Sequence, residues 1–95
     1  MTTVVPAYAV DTVAAIRERL AALAPESIEL FDESGAHVGH AGAQDGGHYR
    51  LVIVSPRFSG RSRVERHRMV YGALGPLPQL RIHALAIDAY APGEI

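Results

Sequence analysis

Apolar residues at Val13, Ile16, Leu20 and Leu23 recur at i, i+3, i+7 and i+10, with Arg17, Glu18 and Arg19 set between them. That spacing predicts one amphipathic helix, which Asp11 or Thr12 can cap and Pro25 stops. The pattern then changes period. Ile28 and Leu30 alternate with Glu29 and Phe31, predicting a first strand over about Ser27–Glu33. The glycine-rich segment Gly35–Gly47 has no periodicity and reads as a long, mobile hairpin loop. His48–Ser55 is apolar on both faces through Leu51-Val52-Ile53-Val54, the mark of a central strand covered at least partly on both sides. Pro56–Gly60 predicts a turn anchored by Phe58. Ser62 can cap a second helix whose stripe is Val64, His67, Tyr71 and Leu74, flanked by Val70. Gly75-Pro76-Leu77-Pro78 ends that helix. A third strand follows over Ile82–Ala89, with His83, Leu85 and Ile87 on one face and Ile82, Ala84 and Ala86 on the other.

The order α-β-β-α-β describes an α+β fold: a three-stranded mixed sheet with both helices packed on it. The hairpin strands are antiparallel. The second and third strands, joined by a crossover helix, are parallel, as such units are in nearly all cases. Parallel strands start at the same edge of a sheet, so His83 starts where His48 starts. The 34–47 loop enters at that edge too. The topology therefore gathers His37, His40, His48 and His83 near one rim, although His37 and His83 are 46 positions apart in the chain. Imidazoles clustered on a sheet edge suit metal or proton chemistry.

Composition narrows the classes. Ninety-five residues suit one domain, read as a loose arm over 1–9, a folded domain over 10–92 and a short tail over 93–95. Without cysteine the chain has no disulfide framework and cannot build a thiolate metal site alone. The first ten residues lack a basic start and contain Pro6, a poor signal peptide, and no apolar run approaches the ~20 residues of a membrane span. A cytoplasmic address with no membrane attachment is the expectation. A net charge of −1 gives no bulk attraction to nucleic acid, yet all nine basic residues are arginine and five of them fall between Arg57 and Arg68.

Enzymatic readings are weak, and the expectation is that the chain is not an enzyme. Asp32 and Glu33 are neighbours in a strand and point to opposite faces, so they cannot act as a paired acid and base. Ser34 and Ser55 have no base and orienting carboxylate arranged around them.

Longer strings carry a family resemblance. Asp32-Glu33-Ser34, the loop with His37 and His40, and His48-Tyr49 resemble the first half of a BolA-family domain. Val54-Ser55-x-x-Phe58-x-Gly60, Val64-x-Arg66-His67-Arg68-x-Val70-Tyr71 and His83-Ala84-Leu85 resemble its second half. The likeness covers roughly residues 10–92 and implies a fold similar to a class II KH domain. It also implies an iron–sulfur trafficking or iron-sensing adaptor that pairs with a monothiol glutaredoxin. Between them such a pair shares a bridged [2Fe–2S] cluster, with glutathione entering through the partner. On the BolA side the resemblance assigns the ligands to a loop residue and to the histidine of the His-Ala-Leu string, which match His37 and His83; His40, three positions on, is the alternative loop ligand.

His48 opens a strand and reads as structural, fixing the loop through a hydrogen bond. His67, mid-stripe, reads as structural or supporting, at least half buried and donating to a backbone group. The competing implication is a DNA-binding transcriptional regulator that uses a KH-like, arginine-rich surface of Arg61, Arg63, Arg66 and Arg68. Gly60-Arg61-Ser62-Arg63 lacks the second glycine of the Gly-x-x-Gly loop with which KH modules clamp a nucleic-acid backbone.

Overall fold

Backbone hydrogen bonding sorts the chain into three strands and two helices in the computed structural model, which describes residues 11–33 and 47–95. Helix α1 spans Thr12–Leu20, strand β1 Ser27–Asp32, strand β2 Gly47–Val54, helix α2 Arg63–Leu74 and strand β3 Ile82–Tyr90. The expected order α-β-β-α-β is the observed one. The sheet runs β1-β2-β3, with β1 and β2 antiparallel and β2 and β3 parallel. The expected arm over 1–9 and the mobility and ligands of the 34–46 segment, His37 and His40 included, lie outside the described residues.

Local chemistry places the helix ends. Asp11 caps α1 by accepting the Ala14 N–H at 3.1 Å. The helix then tightens into a 3₁₀ turn over Ala21–Leu23 and stops at Ala24, whose φ of 48° is left-handed, ahead of Pro25. At α2 a full capping box forms. The Ser62 hydroxyl accepts the Glu65 N–H at 3.1 Å, and the Glu65 carboxylate accepts the Ser62 N–H at 3.0 Å. Gly75 ends the helix at φ 74°, and Arg19 of α1 reaches across to donate to the Leu74 carbonyl at 2.9 Å.

The core lies on one face of the sheet. Ile16, Leu20, Leu51, Ile53, Phe58, Val70 and Leu74 are fully buried there, with Ile28, Leu30, Tyr49, Leu85 and Ala89 partly buried against them. Two expectations are corrected. The buried stripe of α2 is Val70 and Leu74 with Met69 and Ala73, whereas Val64 and Tyr71 are 58% and 43% exposed. The helix is rotated so that His67 and Tyr71 flank β3 instead of facing the core, and Val64 is exposed.

The opposite sheet face is not matched to the core. Phe31 is 46% exposed there and Val52 only half-buried, and Arg50 donates to Asp88 at 2.9 and 3.0 Å across the strands. The apolar run of β2 thus reflects a central position more than two-sided cover. Leu80, in a 3₁₀ turn over Leu77–Leu80, closes the core beside α1, where its carbonyl accepts the Thr12 hydroxyl at 2.8 Å.

Candidate histidine rim

The second correction concerns β3. Gly47 pairs with Ile82 but His48 pairs with Ala84, a register shift that leaves His83 as an extra residue in β3. The backbone parity agrees. Arg81 and Tyr90 both turn their carbonyls toward the β2 side, to the N–H groups of Gly47 and Ser55 at 2.9 Å each, which strict alternation over nine positions forbids. An inserted residue is a β-bulge. It lets Ile82 enter the core at 2% exposure while Leu85 and Ile87 also face inward. His83 is therefore not in phase with them; it stands exposed on the bulge.

The bulge puts His83 against His48. Their ring centroids are 5.0 Å apart, tilted by 36°. His48 is half-buried at the start of β2, and its carbonyl accepts the Glu33 N–H at 2.7 Å. That bond ties the last described residue of the first hairpin arm to the first residues of the second. The described chain thus leaves β1 at Glu33 and re-enters at Gly47 beside the two imidazoles, so the 34–46 segment starts and ends at this rim. Among the described residues no group of three histidine or acidic side chains could hold a metal ion alone. A metal centre here would draw further ligands from residues 34–46 or from another molecule.

His67 lies elsewhere, on α2. It is half-buried as expected, but no hydrogen bond among the described residues engages its ring. The arginines divide. Arg66 is committed: it donates to both carboxylate oxygens of Glu94, to the Ala89 carbonyl at 3.1 Å and to the Arg61 carbonyl at 2.9 Å. Its side chain is 13% exposed. The Arg66 hydrogen bonds, helped by the Ala91 N–H, hold the Glu94 carboxyl down at about 2. Glu94, set apart as tail by sequence, is thereby fastened to the domain. Arg61 leans on Glu65 at 3.5 Å. Arg63 and Arg68 are exposed and make no ion pair among the described residues. The Arg66–Glu94 clamp spans 28 positions and had no local signal in the sequence.

Among the described residues no helix is long and apolar enough to cross a membrane. A family profile described as BolA-like protein matches residues 20–94. Over 82 residues the chain is 46% identical to BolA-like protein 1 of Mus musculus, covering 85% of this chain and 58% of that protein, so it spans little more than half of that relative's length. It is 40% identical over 84 residues to the DNA-binding transcriptional regulator BolA of Escherichia coli, covering 83% of this chain and 78% of that protein. The solved BolA domain of SufE1 from Arabidopsis thaliana superposes with a TM-score of 0.71 at 41% identity, covering 86% of this chain and 93% of that one.

Proposed function

The chain belongs to the BolA-like protein family, and we propose that it acts there as a non-enzymatic adaptor that shares a [2Fe–2S] cluster with a monothiol glutaredoxin. The observation that carries this reading is the His48–His83 pair, at 5.0 Å, on the rim where the segment bearing His37 and His40 begins and ends. The donor set fits such a cargo. An exposed imidazole on a bulge can approach iron without unfolding anything, and one loop histidine would complete the chain's share of the ligands. A chain without thiolate should hold the cluster weakly by itself, so a glutaredoxin cysteine and glutathione would supply the sulfur ligands. Imidazole in place of thiolate removes negative charge from the cluster, raises its potential and makes its binding fall at acidic pH, where the rings protonate. Within this reading His83 is a ligand, His37 or His40 the loop ligand, and His48 holds the rim and the orientation of the His83 ring. Cytoplasmic action is part of the proposal.

The test is anaerobic mixing of the chain with a monothiol glutaredoxin, glutathione, iron and sulfide. The expected result is a heterodimer whose visible circular dichroism differs from that of the glutaredoxin homodimer. That spectrum should be lost with His83→Ala, weakened with His37→Ala and lost again with His37 and His40 both replaced. An identical heterodimer spectrum from a variant lacking His37 and His83 would overturn the assignment.

A second reading, DNA binding, is favoured by the exposed Arg63 and Arg68 on α2. It predicts affinity that falls steeply with salt, with a slope of about one per phosphate contact. With Arg66 spent on Glu94 and Arg61 leaning on Glu65, two of the five arginines between Arg57 and Arg68 are already engaged by carboxylates.

A further inference from the structure

The free edge of β3 is unlike the other surfaces of the molecule. Among the described residues β3 pairs with β2 on one side only and ends the sheet. Tyr90 turns its carbonyl toward β2, to the Ser55 N–H. By alternation Ala84, Ala86 and Asp88 also face β2, whereas Leu85, Ile87 and Ala89 turn their N–H and C=O groups outward. Arg66 confirms that phase at one point, donating to the Ala89 carbonyl from outside the sheet. Among the described residues, the outward groups of Leu85 and Ile87 and the Ala89 N–H have no strand beside them. Native proteins seldom leave such a row open without a reason.

Beside this row is a trough. Two cavities of about 580 and 390 Å³ run along Leu85–Tyr90 and share Arg63, His67, Ile87 and Asp88 in their walls. The α2 wall carries Arg63, His67 and Tyr71. The spacing of Val64, His67 and Tyr71 has the period of a core stripe, yet Val64 and Tyr71 are 58% and 43% exposed. His67 and Tyr71 thus stand over a strand edge that no other described strand pairs.

We propose that this trough takes an extended, acid-bearing peptide segment of another protein, which adds to β3 as a fourth strand, lays an apolar side chain on Tyr71, and sets a carboxylate on Arg63. The charges favour a peptide over a nucleic-acid strand. Arg66 is neutralised by Glu94, Arg61 is shared with Glu65, and Asp88, Glu94 and Glu33 also line the walls. A phosphate at every residue step would meet those carboxylates. One guanidinium without an ion pair suits one carboxylate, which it can grip bidentately. The outward amides and carbonyls recur every two residues, the repeat of a strand and not of a sugar–phosphate chain. Six residues of β3 offer roughly 20 Å of edge at about 3.3 Å per residue. The inference is independent of the cluster reading, because it uses neither His83 nor iron.

The experiment uses the full chain without glutaredoxin or iron. The probe is a capped nine-residue peptide alternating valine and threonine, with glutamate at both ends in the valine phase. Backbone amide NMR should show its binding at Leu85, Ile87 and Ala89, with exchange of the Ile87 and Ala89 amides slowed about tenfold or more. N-methylation of the peptide amides in one alternate phase should abolish binding, and in the other phase should leave it intact. Replacing its glutamates by glutamine, or Arg63→Ala in the protein, should weaken binding about tenfold. Arg63 is exposed and unpaired, so that variant keeps its melting temperature, and His83→Ala should bind as well as the parent chain. The proposal is overturned if no binding appears at millimolar peptide, if both N-methylated peptides bind alike, or if the shifts fall away from β3. Tighter binding of an oligothymidine to the same residues would overturn it in favour of nucleic acid.

Discussion

The two ends of the β2–β3 pair are built in opposite ways. At the Val54–Tyr90 end everything is fastened. Ser55 is fully buried, its hydroxyl donating to the Leu23 carbonyl at 2.6 Å and accepting the Arg57 N–H at 3.1 Å. Phe58 is fully buried just beyond, Ala91 is 4% exposed, and Arg66 grips Glu94 with both of its terminal nitrogens. At the Gly47–Ile82 end the register slips by one residue, the inserted residue is an exposed histidine, and the chain enters a glycine-rich segment. Packing and buried hydrogen bonds hold one end in a single arrangement. At the other end the His83 imidazole stays exposed on its bulge. Stability and proposed chemistry are thus separated along one pair of strands, and changes at the two ends should have effects of different kinds.

The largest effect is expected at the fastened end. Phe58→Ala should destabilise the fold by about 3–5 kcal/mol, because a fully buried ring is lost and the site cannot collapse around the gap. Ser55→Ala should cost about 1–3 kcal/mol, since the Leu23 carbonyl would be left buried without its donor and the 3₁₀ turn over Pro56–Phe58 would lose its cap. Urea unfolding followed by circular dichroism measures both. If either variant were as stable as the parent chain, the contrast between the two ends would fail at its stronger side.

How much of this was legible depends on the range of the interaction involved. The α2 boundaries follow from Ser62 and from Gly75-Pro76, local signals that act within one turn, and the structure places them at Arg63 and Leu74. The parallel pairing and shared rim follow from chain order. Two features were not legible for a geometric reason. A 3.6-residue period identifies that a helix has an apolar face without saying which of two neighbouring faces meets the core. The stripe Val64–His67–Tyr71–Leu74 was therefore as plausible as the observed one, which keeps Leu74 and moves to Val70. The alternation of β3 offered apolar residues in both phases, Ile82 in one and Leu85 with Ile87 in the other. All three are satisfied together because a bulge at His83 lets the strand change phase. The Arg66–Glu94 clamp joins groups that no periodicity relates.

That clamp sharpens the comparison by pH. The Glu94 carboxyl is lowered from an ordinary 4.5 to about 2, first by hydrogen bonds from Arg66 and then by the Ala91 N–H. A depressed folded-state value means that the clamp's contribution is full above about pH 4.5 and is lost as pH falls toward 2. Carboxyl-carbon NMR of Glu94 should titrate with a midpoint near 2, and the Ala91 amide shift should follow it. Glu94→Gln should remove that dependence and loosen the turn after β3, leaving the histidine rim unchanged. A midpoint at the ordinary carboxylate value would mean that the C-terminal turn is not held in solution.

The smallest effect on stability is expected at the open end. His83 is exposed on a bulge and meets the half-buried His48 through a tilted ring contact. His83→Ala should therefore change unfolding free energy by no more than about 0.5 kcal/mol, the ordinary range for an exposed side chain. The register shift should persist, because Ile82 and Leu85 still demand opposite parity to enter the core together. Amide NMR would show this as shifts confined to residues 47–49 and 81–85. The same variant is expected to lose the heterodimer cluster spectrum entirely. A large loss of stability would instead mean that the His48–His83 contact holds the sheet end together. The loss of a cluster would then report damage to the rim and not removal of a ligand. His48→Ala separates the two cases, because it removes the same ring contact and leaves the His83 imidazole in place. Retained stability with a weakened spectrum from His48→Ala would make it the residue that orients His83.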